Sequence, residues 1–248
     1  EKTFATDLTG RKDISTYDTS VDQLFEIEYP EKDDYPTGWG NRTTAIKNMF
    51  NNFENALKDG DFTTVQQYID YTSWADWFII NEYTKNVDAY RASCIFVYTG
   101  EAGAKIEARP LWDQELSFNN TATTVGNGKG CNSTSGLLVE HDAVYKDGFP
   151  APFWFTGNYS TSNGQFTKDK YKGLLDDPCF VQVVKERWET HKADALSEAS
   201  LQKLITEYYN DLADYDESTK TYAETSAKTR EVAFWTNKSR GACDCSYD

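Results

Sequence analysis

Trp74-Ala75-Asp76-Trp77-Phe78-Ile79-Ile80-Asn81-Glu82-Tyr83-Thr84-Lys85-Asn86-Val87-Asp88 is the stretch on which the reading of the chain turns. Ser73 with Asp76 three residues on has the form of a capping box. It predicts a strongly apolar helix from Trp74 to Lys85 that carries Trp77, Phe78 and Ile80. Asn86-Val87-Asp88 then falls just past the helix end and just before a strand predicted over Cys94 to Tyr98. A second strand, Lys105 to Leu111, follows a Gly-containing turn at Gly100 to Gly103. Upstream, Ile46, Met49, Phe50, Phe53 and Leu57 recur at helical spacing between Thr43 and Lys58, and Gly60 ends that helix. Asp61 caps a short helix with Val65, Tyr68 and Ile69. Leu24 to Tyr29 alternates apolar and acidic residues, as a half-buried strand does, and Pro30 closes it. Downstream, about Asn119 to Lys172 is rich in Gly, Asn, Thr and Ser, too long for a structureless loop without a function. Asp177-Pro178 is a cap followed by a first-turn proline, for a helix with Phe180, Val183, Val184, Arg187 and Trp188. Two further helices are predicted near Ser197 to Ala213 and Ser218 to Trp235. Helices and strands are segregated along the chain, so the fold class is α+β.

Composition narrows the partners. The 248 residues hold 25 Lys plus Arg against 40 Asp plus Glu, a formal charge of −15. Nucleic-acid backbones are held by basic faces, and anionic lipid surfaces attract basic segments, so neither partner is expected. The 15% aromatic content argues against a disordered acidic chain. No run of 18 apolar residues is present, so no membrane span is expected. Glu1-Lys2-Thr3 does not open a signal peptide, which suggests a fragment or a mature, processed form. Five cysteines (Cys94, Cys131, Cys179, Cys243, Cys245) include no C-x-x-C pair, and with only His141 and His191 beside them a structural zinc site is not expected. N-x-[ST] acceptors stand at Asn41, Asn119, Asn132, Asn158 and Asn237. Acceptors, cysteines and a single Met lean towards a secreted or cell-surface glycoprotein with disulfides. Cys131 with Cys179 is the pairing put forward.

The acids that could do chemistry are Asp88 and Asp113. Asp88 follows the apolar helix, and Asp113 lies in Pro110-Leu111-Trp112-Asp113-Gln114-Glu115 at the end of the second strand. An antiparallel strand pair can bring its two outer ends together. One carboxylate could then accept a hydroxyl proton while the other holds a divalent metal on phosphate oxygens. Paired carboxylates also suit glycoside hydrolysis, and the spacing alone does not choose. By spacing alone, caps and solvated turns are the commoner role for such acids.

At these residues the chain resembles the CotH kinase family, the spore-coat-protein-H-like atypical protein kinases. The matching segments are Phe25 to Glu31, Tyr68-Ile69-Asp70, Asn81 to Asp88, Pro110 to Glu115, Leu174 to Phe180 and Arg187-Trp188. The resemblance runs from about residue 22 to 236. It implies a fold related to protein kinases, mostly the helical C-lobe with a few strands and the long Gly/Asn/Thr-rich loop. It also implies one domain over residues 1–240 that lacks the family's first strands, with 241–248 as a tail. The implied activity is transfer of phosphate from ATP, with Mg²⁺ or Ca²⁺, to Ser or Thr of secreted or surface proteins. Asp88 would be the catalytic base with Asn86 beside it, and Asp113 would hold the metal with Glu115. Ser93 stands where kinase-like sites often place an Asn as second metal ligand. Glu115 replaces the second Asp of the family's Trp-Asp-x-Asp pattern, and Asn119-Asn120 replaces the Gly-Asn that often follows. The alternative is a catalytically quiet CotH-like binding or structural module of an adhesive or plant-wall-degrading, cellulosome-type assembly.

Other features carry paired readings. Arg91 could meet a phosphate, pair with Asp88 or lie on the surface. Trp112 is read first as an anchor of the strand end in the core and second as a ring stacked on adenine. Phe149 to Phe155 is read first as packing against the helices and second as an exposed platform. Gly126 to Gly130 looks superficially like a phosphate cradle. It lacks the flanking strand and helix of one, so it reads as loop.

Overall fold

The computed structural model describes residues 39–90, 93–118, 136–140, 151–157, 159–162, 165–168, 172–213, 215–216 and 221–222. The strand expected at Leu24 to Tyr29, the Gly126 to Gly130 loop, and Cys131, His141, Cys243 and Cys245 lie outside them.

The first helix, α1 (Trp39–Asp59), covers the predicted Thr43 to Lys58 and begins four residues earlier. Gly60 stops it in a left-handed conformation (φ 75°) that a side chain would disfavour. Asp61 caps α2 (Phe62–Tyr68) by accepting from the Thr64 N–H. The apolar helix α3 spans Tyr71–Thr84. Its cap is not the predicted Ser73–Asp76 box. Asp70 accepts the Ser73 N–H at 2.7 Å, so the helix starts a turn earlier. That leaves the Ser73 hydroxyl to accept from the Ala108 N–H and Asp76 to make a longer-range ion pair.

The two predicted strands shrink to β1 (Phe96–Val97) and β2 (Glu107–Ala108), paired antiparallel with Phe96 opposite Ala108. What fixes β2 is the junction of α2 and α3 rather than a broad sheet. Ile106 bridges Ile69, its carbonyl takes the Asp70 N–H and the Trp74 indole N–H, and its own N–H donates to Tyr68 O at 2.7 Å. Within the long loop stand a short helix α4 (Ala151–Thr156) and a hairpin of β3 (Tyr159–Ser162) with β4 (Gln165–Lys168). Asp177 and Pro178 start α5 (Pro178–Ala193) as expected, the Asp177 carboxylate taking the Cys179 N–H. Ser197 caps α6 (Glu198–Leu212). Thr221–Tyr222 form strand β6 against β5 (Tyr215–Asp216), so the helix predicted from Ser218 does not begin there. The rest of the stretch predicted as that helix lies outside the described residues.

Aromatic side chains make the core. Trp74, Trp154, Tyr90, Phe53, Phe155 and Phe180 are fully buried. Trp74 stacks on Phe96 with centroids 5.1 Å apart, and Trp77 lies nearly parallel to Phe155 at 5.8 Å. Trp154 and Phe155 therefore pack inward, as the first reading of Phe149 to Phe155 had it. The Trp154 indole N–H is satisfied by the buried Glu54 carboxylate at 2.7 Å; a buried donor left without a partner would be costly. α3 and α5 pack together, and a polar clamp joins them. The Arg187 guanidinium grips Asp76 with two hydrogen bonds of 2.7 and 2.8 Å, and His191 Nε2 lies 2.8 Å from the same carboxylate. Helices dominate and the strands form two-stranded pairs, an arrangement compatible with α+β. Among the described residues, no helix is long and apolar enough to cross a membrane.

Candidate active site

Everything at the site hangs from the C-terminal end of α3. Lys85 ends the helix in a left-handed conformation (φ 56°), its N–H returning to Asn81 O, and the chain reverses into a 3₁₀ turn, Val87–Tyr90, that carries Asp88. Asn86 is fully buried and its side chain has two partners. Its Oδ1 accepts the Asp88 N–H at 3.3 Å, and its Nδ2 donates to the Asp113 carbonyl at 3.2 Å. Only an amide offers an acceptor and a donor in those two directions. Asn86, expected beside the base, thus holds the backbones of both acids.

Ser93 completes the link. Its N–H donates to the Asp88 carbonyl at 3.0 Å, and its hydroxyl donates to Asp113 Oδ2 at 3.3 Å. The side chain is buried, so the hydroxyl orients the Asp113 carboxylate from below. Asp113 itself is exposed and sits in the left-handed region (φ 52°). Aspartate tolerates that conformation better than most residues, yet it still costs about 1 kcal/mol. The cost is met by a stitched loop. Gln114 reaches both Asn81 Oδ1 and the Trp112 carbonyl, Ser117 Oγ bonds Gln114, and the Phe118 N–H donates to Thr84 O at 2.7 Å. The loop of Asp113 is therefore fastened to the same helix end that supports Asp88.

The structure thus brings Asp88, Asn86, Ser93 and Asp113 together. Glu115 is exposed two residues beyond Asp113. Trp112 does not anchor the core: it is 57% exposed, because β2 ends at Ala108 and the following residues leave the packed layer. Arg91 lies outside the described residues. Cys179 is exposed in the first turn of α5 and is free among the described residues, and Cys131, put forward as its partner, lies outside them.

Sequence reasoning missed three supports. Asn81 and Gln114 tie the two chain segments together, and Glu82 is buried with its carboxylate engaged by Tyr90, Leu138 and Val139. Burial pushes the Glu82 carboxyl above its ordinary range, against those hydrogen bonds and the charge of Lys85. A buried carboxylate on an otherwise apolar helix was the available signal, since such a group needs partners.

The donor set fits a hard divalent cation. Asp113 offers an exposed carboxylate with the Ser93 hydroxyl beside it, and Mg²⁺ on a nucleotide usually takes one or two carboxylates with phosphates and waters. Among the described residues no three His, Cys, Asp or Glu side chains cluster as a metal cage.

The turn that carries Asp88 at the helix end and the strand exit that carries Asp113 are thus joined through Asn86 and Ser93. The family model described as CotH kinase protein matches residues 3–239, and the chain belongs to that family. A search of curated proteins found no match, and neither did a search of solved structures.

Proposed function

We propose that this chain is an atypical kinase that transfers phosphate from ATP to Ser or Thr hydroxyls of secreted or cell-surface proteins. Membership of the CotH kinase family supports the reaction class. The observation that carries the residue roles is the double engagement of Ser93, bonded to the backbone of Asp88 and to the carboxylate of Asp113. Asp88 accepts the proton of the acceptor hydroxyl, which raises its nucleophilicity. Asp113 would hold Mg²⁺, or Ca²⁺, through its carboxylate, with Ser93 and Glu115 as further oxygen donors. The cation, when bound, neutralises phosphate charge, which is how a chain of net charge −15 accommodates a polyanionic nucleotide. Asn86 keeps the two acids in register. Trp112, exposed beside Asp113, supplies a ring face for the nucleotide base, and Arg91 a charge for its phosphates.

The test is incubation of the complete protein with ATP, Mg²⁺ and candidate secreted proteins. Transfer that is lost in Asp88→Ala supports the reading. No labelled protein, together with ATP turnover unchanged in Asp88→Ala, sinks it.

One observation favours a second reading, a catalytically quiet binding module of an extracellular assembly. Leu111, Trp112 and Phe118 are all exposed around Asp113, and exposed apolar groups gathered in one place mark interaction sites. Calorimetry with ATP and Mg²⁺ separates the two, since the module predicts no heat of binding.

A further inference from the structure

We propose that Glu82 is a positioning residue that couples the Gly136–Glu140 segment to the turn carrying Asp88. The inference rests on the assignment of Asp88 as the base, and it adds the device that holds that base in place.

Glu82 lies on the last turn of α3 and is 8% exposed. Both its oxygens accept. Oε1 takes the Tyr90 hydroxyl at 2.7 Å and the Val139 N–H at 2.8 Å, and Oε2 takes the Leu138 N–H. Lys85 stands 3.7 Å from the same carboxylate and donates to the Gly136 carbonyl at 2.6 Å. The helix end thus clasps the 136–140 segment at two points of opposite polarity. Tyr90 is the last residue of the 3₁₀ turn and lies two positions after Asp88. Its ring is wedged edge-on against Trp77 and Phe155, with centroids 5.3 and 5.9 Å away. With ring and hydroxyl both fixed, the turn has little freedom to swing. A displacement of the 136–140 segment moves the Glu82 carboxylate, and through Tyr90 it moves Asp88.

A carboxylate is required. Three donors converge on two acceptor oxygens, and a glutamine would present an N–H₂ to one of them. Glu82→Gln is therefore expected to loosen both ends. Tyr90→Phe keeps the packed ring and removes only the connecting hydroxyl.

Two measurements test this on the full chain. The first is amide exchange, with the Ile106 N–H, bonded to Tyr68 O, as an internal reference for general destabilisation. In Glu82→Gln, exchange should quicken about tenfold at Leu138 and Val139 and also at Ala89 and Ser93, relative to Ile106. In Tyr90→Phe it should quicken at Ala89 and Ser93 alone. Quickening confined to Leu138 and Val139 in Glu82→Gln, or none at Ala89 and Ser93 in Tyr90→Phe, overturns the proposal. The second is kinetics. Both variants should lower kcat about tenfold with KM for ATP within about twofold, the mark of a misplaced base rather than lost binding. Wild-type kcat in Tyr90→Phe, in a protein whose turnover Asp88→Ala abolishes, also overturns it. If Asp88→Ala leaves turnover unchanged, the kinase reading falls, and the exchange pattern alone still decides the coupling.

Discussion

The Ser93 hydroxyl donates to Asp113 Oδ2 at 3.3 Å while the Ser93 N–H holds the Asp88 carbonyl. With Asn86, Ser93 therefore links two acids that lie 25 positions apart in the chain. Removing the hydroxyl should free the Asp113 carboxylate to rotate without unfolding anything. Ser93→Ala is expected to lower phosphoryl transfer about tenfold, the worth of one hydrogen bond to a charged group. Steady-state kinetics across a range of Mg²⁺ concentrations should show a raised metal requirement.

Asn86→Asp is a sharper probe than Asn86→Ala. The aspartate keeps the acceptor for the Asp88 N–H but loses the donor to the Asp113 carbonyl, and it buries a charge. A stability loss of about 2–3 kcal/mol in urea unfolding is expected, together with loss of activity.

Trp112→Ala should leave stability within about 0.5 kcal/mol, since the ring is largely exposed. If the ring serves the nucleotide base, ATP affinity measured by calorimetry should fall about fivefold or more. Unchanged affinity would remove Trp112 from the nucleotide site.

The α3–α5 clamp should respond to acid. Burial alone would raise the Asp76 carboxyl, but hydrogen bonds from Arg187 and His191 and their charges outweigh it and hold it below its ordinary value near 3.8. A depressed carboxyl stabilises the fold above its ordinary value and loses that contribution as pH falls through its lowered one. Thermal unfolding should therefore show the wild-type advantage over Asp76→Asn at pH 7 and little of it near pH 2. Because Asp76 is about a third exposed, solvent screening limits the neutral-pH difference to about 1 kcal/mol.

Gly173→Ala should be among the most damaging small substitutions. A Cβ there would stand 2.3 Å from Gly157 N and 2.5 Å from Phe155 O, both backbone atoms that cannot step aside. A loss of about 2 kcal/mol or more is expected from chemical denaturation. Gly136→Ala is a poor comparison because of its positive φ, whereas Gly40→Ala, with open space around it, should be nearly neutral.

Helices were the legible part of the sequence. Their signals are local: the apolar spacing of α1, the Asp61 cap and the Asp177-Pro178 start each act within a turn or two. The α3 cap was misplaced by one turn because Asp70 and Ser73 are both good caps, and the difference lies in what else competes for them. Ser73 is claimed by Ala108 and Asp76 by Arg187, 111 positions away. The two strands around the Gly100 to Gly103 turn are shorter than predicted because Ile106, just before β2, is bonded to the α2–α3 junction and the Trp74 indole rather than to a further strand.

By itself the sequence determined the family pattern and the helix that precedes Asp88. It did so because residue type and short spacing encode caps, periodicity and motif. Tertiary structure alone decided that Asn86 serves two backbones, that Ser93 faces Asp113, that Trp112 is exposed, and that Glu82 reaches Tyr90 and Leu138. Each of these depends on where a distant segment is brought when the aromatic core closes, and no local signal reports the direction of a side chain relative to chain that has yet to arrive.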